Sequence, residues 1–153
     1  MSQASKSGRY QRIYEQLSDL FTATASPWSR MSTIAAVLHH KMPAFFWTGF
    51  YFLEGNDLLV GPYQGPLACL KLDPAKGVCR AGVERKQTVV VPDVEQFPGH
   101  IACSSLSRSE IVVPVRDQSG RVVAVLDVDS KELNAFDDAD QTGLEKIVEL
   151  IHT

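Results

Sequence analysis

The sequence has no apolar run approaching the ~20 residues that would span a bilayer. Its opening, MSQASKSGRYQR, has no apolar stretch of the kind that marks a secretory signal. Membrane insertion and export are not indicated, so a cytoplasmic location is the expectation. Charge of one sign is equally scarce. Fifteen Lys and Arg face 18 Asp and Glu, for a formal net charge of −3, and no segment gathers the basic residues into a stripe. That argues against nucleic acid as a partner. Cysteine is rare, and three is an odd number that cannot be wholly paired within one chain. That argues against a disulfide scaffold and for free, redox-active or metal-binding thiols. There is no C-x-x-C, glycine-rich phosphate loop, G-x-S-x-G or H-E-x-x-H to point at a ready-made chemistry.

What is present is the balance of a folded globular chain: 44% hydrophobic and 22% charged residues over a length of 153. That length suits one domain with one core, and no repeat or linker divides it, so residues 1–153 are expected to form a single domain. Tyr10, Ile13, Tyr14, Leu17, Leu20 and Phe21 recur at helical steps, predicting a first helix. Ser26-Pro27 opens a second, with Met31, Ile34, Ala35 and Leu38 as its inner face. Strands are predicted at 46–53 and 58–60 around a turn at Glu54–Asp57, then at 67–72, at 88–91, at 110–116 and at 121–129. Residues 77–86 read as a short helix or turn, and 96–109 as a long surface loop of the kind that carries function. A last helix begins near Asp137. The order predicts an α+β fold with helices packed on one face of an antiparallel sheet.

Three groups of residues could carry chemistry. Cys103 lies in the polar loop, where a thiol can ionise and react, and a second cysteine within reach would resolve its oxidised form as a disulfide. Cys69, on the strand predicted at 67–72, and Cys79 have apolar neighbours, where a thiol can equally be a small buried hydrophobe. Zinc held by the three cysteines and His100 is disfavoured, because only His100 and Cys103 are close in sequence. No metal is expected.

Asp127 and Asp129 alternate along one strand and so share a face. A tight turn at Gln118-Ser119 would set Glu110 opposite Asp127, and a bulge at Gly120 would slip that register by one. Either arrangement is expected to gather three carboxylates at the open end of the hairpin. The crowding should raise at least one carboxyl pKa and favour a cation, unless Asp129 merely caps a turn and Glu110 is solvated. Trp47 and Tyr51 share a strand face, as most core aromatics do. His39, His40 and His100 carry little signal by themselves.

Taken together, Gly61-Pro62-Tyr63-Gln64-Gly65, Ala68-Cys69, Gly77-Val78-Cys79, Gly99-His100-Ile101-Ala102-Cys103, Ser109–Pro114 and Val125–Ser130 resemble the GAF-domain free methionine-(R)-sulfoxide reductases. The resemblance runs over nearly the whole chain and implies a six-stranded antiparallel sheet with helices on one side. By position, it implies that Cys103 is the nucleophile, that Cys69 forms the disulfide with it, and that Cys79 is an alternative or secondary resolver. It also implies that Glu110, Asp127 and Asp129 bind the substrate's amino end and polarise the sulfoxide, with Trp47 and Tyr51 around its methyl end.

Two positions depart from the pattern. Ser104 stands where an acid often follows the nucleophile, and Arg80 where glycine often follows the middle cysteine. The expected activity is reduction of free methionine sulfoxide without metal or organic cofactor, with thioredoxin as reductant and a homodimer as the assembly. The alternative is a non-catalytic GAF module that binds a small ligand and signals.

Overall fold

Ser2 accepts a hydrogen bond from Ser5 N and so starts the first helix, α1 (Gln3–Leu20). The computed structural model of the chain describes residues 1–100 and 103–153. Helix α2 (Pro27–Lys41) begins as its sequence indicates, with Ser26 as cap and Pro27 in the first turn. Strands β1 (Trp47–Glu54) and β2 (Asp57–Gln64) are joined by a turn in which Gly55 adopts φ +61°. Then come β3 (Lys71–Leu72), α3 (Val78–Arg85), β4 (Val89–Val91), β5 (Ser109–Arg116) and β6 (Val122–Ser130). The chain continues into α4 (Asp138–Val148), opened by a capping box in which Asp137 and Asp140 each accept from the other's backbone N–H. The six strands form one antiparallel sheet in the order β3-β2-β1-β6-β5-β4.

Strand alternation sorts the sheet into two faces. Phe50, Ile111, Val113, Val115, Leu126 and Val128 point to the face covered by α1, α2 and α4, where they form the larger core with Ile13, Leu17, Ile34, Leu38, Leu144 and Ile147. The expected α+β class, the six-stranded sheet and three helices on one face are all present. The short α3 lies on the opposite face, within a second cluster that includes Tyr51, Val78, Cys79, Val112 and Val125. Gly82 permits that approach, since a Cβ there would sit 2.8 Å from Val112 Cγ1.

The strand expected at 67–72 is a correction. Only Lys71–Leu72 pairs with β2, and Cys69 lies in irregular chain before it. Gly65, at φ +120°, turns the backbone out of β2, and Leu67 and Leu70 have no core face to bury. Leu20, expected in the α1 stripe, is also half exposed. The Ile101-Ala102 part of the expected loop lies outside the described residues. Among those residues, no helix is long and apolar enough to cross a membrane.

Helices α1 and α4 are joined by a buried polar tie. Asp140 accepts from Lys6 Nζ and from Tyr10 OH, both at 2.6 Å. The two helices touch where Gly143 meets Tyr10, and an added Cβ would come 2.3 Å from Tyr10 Cγ. The ring is buried and its hydroxyl anchored, so it cannot swing aside. Gly143→Ala should therefore destabilise the fold by about 1–3 kcal/mol, the usual range for overpacking. The expected reading is a lower denaturant midpoint at unchanged slope, and an unaltered midpoint would show that α1 and α4 separate freely.

Candidate functional site

The site begins with the register of the β5–β6 hairpin. Asp117 N donates to Arg121 O and Gly120 N to Asp117 O, with Gly120 at φ +86°. A three-residue loop thus replaces the tight turn, and a bulge between Val115 and Arg116 adds a second shift. Glu110 consequently pairs with Asp129, and Asp127 pairs with Val112. Neither expected register is seen: not the tight-turn pairing of Glu110 with Asp127, and not the single-residue slip from a bulge at Gly120. A displacement of two residues keeps every side chain on its face, whereas one of a single residue would have turned Glu110 toward the helical core.

Glu110, Asp127 and Asp129 all project to the α3 face. Strand β1 lies beside them, with Trp47 opposite Asp129 and Gly49 opposite Asp127. Gly49 is small for a reason: a Cβ there would come 2.7 Å from Trp47 Cη2 and 2.3 Å from Tyr63 Cβ. In the space it leaves, Trp47 stacks on Tyr51 at 5.7 Å and on Tyr63 at 5.3 Å between ring centroids. Tyr63 was not among the expected site residues, although a glycine inside a strand signals such a close approach.

These aromatics also position a cysteine. Trp47 Nε1 donates to Pro66 O at 3.1 Å, and Tyr51 OH donates to Cys69 O at 3.2 Å. The irregular 66–70 segment is thereby held against the cleft, and Cys69 forms a disulfide with Cys103, with Cα atoms 5.6 Å apart. Cys79, brought in by α3, is left as a free and buried thiol. The neighbouring Arg80 is also buried, and its Nη2 donates to Asn56 O.

Glu110 and Asp127 are buried, Asp129 is half-buried, and the three acids crowd one another. Burial, followed by the charge of Asp129, pushes the Glu110 carboxyl up to about 8. Burial, followed by Glu110, raises Asp127 well above the ordinary carboxylate range. Asp129 is raised by burial and then by Asp127. Burial and the adjacent carboxylates push the Cys79 thiol up as well, so it stays protonated at neutral pH.

His100, which carried little signal in the sequence, has its Nε2 3.6 Å from Glu110 Oε1. Burial lowers its pKa, so at neutral pH the proton rests on the carboxyl and the contact is not an ion pair. Asp127 Oδ1 and Asp129 Oδ1 are buried without a hydrogen-bond partner among the described residues. The Cys79 thiol and oxygens of Glu110 and Asp127 lie within 4.8 Å of one another, a set able to hold a small cation. An ammonium group would satisfy the same orphaned oxygens.

All the expected site residues except Cys69 line one cleft: Trp47, Tyr51, Cys79, Cys103, Glu110, Asp127 and Asp129. Cys69 borders it through its bond to Cys103. In this disulfide-bonded state the cleft has a volume of about 40 Å³, room for a few waters.

The GAF domain pattern matches residues 31–152. GAF domain-containing protein A of Dictyostelium discoideum is 42% identical over 99% of this chain and 95% of its own length. The free methionine-R-sulfoxide reductase of Saccharomyces cerevisiae is 37% identical over 91% of this chain and 79% of its own. The structure of free methionine-R-sulfoxide reductase from Neisseria meningitidis in complex with its substrate matches with a TM-score of 0.90 at 38% identity, covering 95% of this chain and 87% of that one.

With Cys69 and Cys103 bonded and Cys79 buried, the folded oxidised chain should show no thiol reactive to a polar aromatic disulfide reagent. Denaturation should release one thiol per chain, as only Cys79 is unpaired. A rapidly reacting thiol in the folded oxidised protein would contradict the placement of Cys79.

Proposed function

The chain belongs to the GAF-domain family, in the line of its free methionine-(R)-sulfoxide reductases, and on that premise we propose how its residues reduce free L-methionine (R)-sulfoxide to methionine. The observation that carries the proposal is a disulfide, Cys69–Cys103, beside a cleft lined by the crowded carboxyls of Glu110, Asp127 and Asp129. A module that only bound a ligand would have no use for that pairing.

In the reduced chain, the Cys103 thiolate attacks the sulfoxide sulfur. Oxygen leaves sulfur poorly unless it is protonated, and Glu110, with its carboxyl pushed up to about 8, carries a proton to give at neutral pH. The oxygen passes to Cys103, which becomes a sulfenic acid, while the substrate sulfur gains two electrons and leaves as methionine. The Cys69 thiol then condenses with the sulfenic acid, releasing water and forming the disulfide.

Cys69 is assigned this step because it is the sulfur bonded to Cys103. Cys79 is buried and held as a neutral thiol, which supports a hydrogen-bonding part beside Asp127 in place of resolution.

The orphaned oxygens of Asp127 and Asp129 suit the ammonium of a free amino acid. A peptide-bound methionine sulfoxide has no such charge and would leave the acids buried without a partner. The stacked Trp47 and Tyr51 offer an apolar wall to the methyl end. Restoring the two thiols takes an external dithiol, for which thioredoxin is the choice, and this suits a reducing compartment such as the cytoplasm.

Cys103→Ser should yield no methionine even in a single turnover, and a full equivalent from this variant would overturn the assignment. Cys69→Ser should release one equivalent and then stall with thioredoxin. Loss of the first equivalent would instead exchange the two roles.

Glu110→Gln should slow the first turnover by about 10²–10⁴-fold, the usual loss with a general acid. The raised carboxyl gives its proton below about 8 and loses it above, so the wild-type first-turnover rate should fall as pH climbs through that value. In Glu110→Gln that alkaline fall should vanish. Its persistence would take the acid role from Glu110.

A further inference from the structure

Seven large hydrophobic side chains stand exposed among the described residues, and the two most exposed are Leu67 at 84% and Leu70 at 74%. Both are within two residues of Cys69. A third, Leu106 at 55%, is three residues beyond Cys103. Apolar exposure thus gathers at the two chain segments that the disulfide joins. Scattered single leucines on a surface need no explanation, but a cluster around a reactive bond does.

The cluster is also held firmly. The backbone from 66 to 70 is fixed at three points: Trp47 Nε1 donates to Pro66 O, Tyr51 OH to Cys69 O, and Val60 N to Leu70 O. The main chain is anchored inward while Leu67 and Leu70 are turned outward. Cys103, the other half of the bridge, is itself an exposed residue. An apolar surface already fixed in place loses little conformational freedom when a partner covers it.

Building on the reductase reading, we propose that Leu67, Leu70 and Leu106 form the docking surface for the dithiol protein that reduces the Cys69–Cys103 disulfide. The disulfide decides what the occupant must be, since a thiolate has to come within bonding distance of one of its sulfurs. One partner thiolate attacks the bridge to give a mixed disulfide and frees one cysteine. The partner's second thiol then displaces the other. The partner ends as a disulfide, and Cys69 and Cys103 regain two electrons and two protons. A thioredoxin-class protein, with a reactive cysteine of lowered pKa in a C-x-x-C pair, has the chemistry required. The leucines supply the apolar contact that keeps it on the bridge long enough to react.

The test uses the full chain with Leu70→Ser and Leu106→Ser, singly and together, because neither side chain lines the cleft. Turnover of free methionine-(R)-sulfoxide is followed with thioredoxin, its reductase and NADPH, and in parallel with dithiothreitol, which needs no docking surface. The double variant should lose about tenfold in kcat/KM for thioredoxin, the scale of a few lost interface anchors. Its dithiothreitol-driven rate and first-turnover methionine yield should match the wild type. An unchanged thioredoxin kcat/KM would overturn the proposal, and so would an equal loss with both reductants. If the wild type turns over with dithiothreitol but not with thioredoxin, the docking surface falls while the reductase reading stands. If it forms no methionine even in the first turnover, the reductase reading falls and the docking proposal with it.

Discussion

Three crowded carboxyl groups, two of them buried and that of Asp129 half-buried, are the constraint around which the rest of the site is arranged. Each would be hydrated and ionised in water. Placed together on the α3 face of β5 and β6, they are pushed toward the neutral form by lost solvation and by one another. Such a cluster has two ways to lower its energy: hold protons or hold a cation. A free amino acid with an oxidised thioether draws on both. In the proposed reaction its ammonium answers the orphaned oxygens, and its sulfoxide oxygen accepts the proton that the crowding retains on Glu110. On that proposal one electrostatic feature governs both which substrate form is accepted and how its oxygen is made to leave.

The aromatic stack links that acidic floor to the redox chemistry above it. Trp47 and Tyr51 line the cleft with their rings, and with their polar ends they fix the backbone around Cys69. Changing either ring would thus disturb both the cleft wall and the position of Cys69. Gly49 is a precondition for the arrangement, since any side chain there would occupy the space in which Trp47 and Tyr63 meet.

Much of this was legible in the sequence, for identifiable reasons. The inner face of α2 follows from 3.6-residue periodicity, and the structure buries Met31, Ile34, Ala35 and Leu38 as expected. Strand alternation placed Asp127 and Asp129 on one face without knowledge of the partner strand. The hairpin register was less legible, because it depends on a left-handed Gly120 and on a bulge at Val115 that no local pattern announces. The hairpin's acid cluster nonetheless survives, because two single shifts in the same direction restore the parity of the pleat.

Cys69 was misplaced onto a strand because Leu67, Ala68 and Leu70 look like core residues to a composition count. Leu67 and Leu70 are instead exposed and Ala68 is half-buried, because the backbone there is tied down by Trp47, Tyr51 and Val60. The role of α3 was hidden for a related reason. Its eight residues are too few for a convincing periodic signal, yet they roof the site and carry Cys79.

The placement of the cysteines shows how one small site keeps two kinds of chemistry apart. A thiol close to several carboxyls is a poor nucleophile, since negative charge and burial both oppose its ionisation, and Cys79 is in that position. A useful nucleophile must reach the substrate sulfur while its own sulfur stays nearer to solvent, and exposed Cys103 at the edge of the cleft meets that requirement. In the proposed mechanism the two tasks fall to different parts of the chain, with the acids on the β5–β6 hairpin and the attacking sulfur outside any strand or helix, so that one cleft can serve both proton donation and sulfur attack.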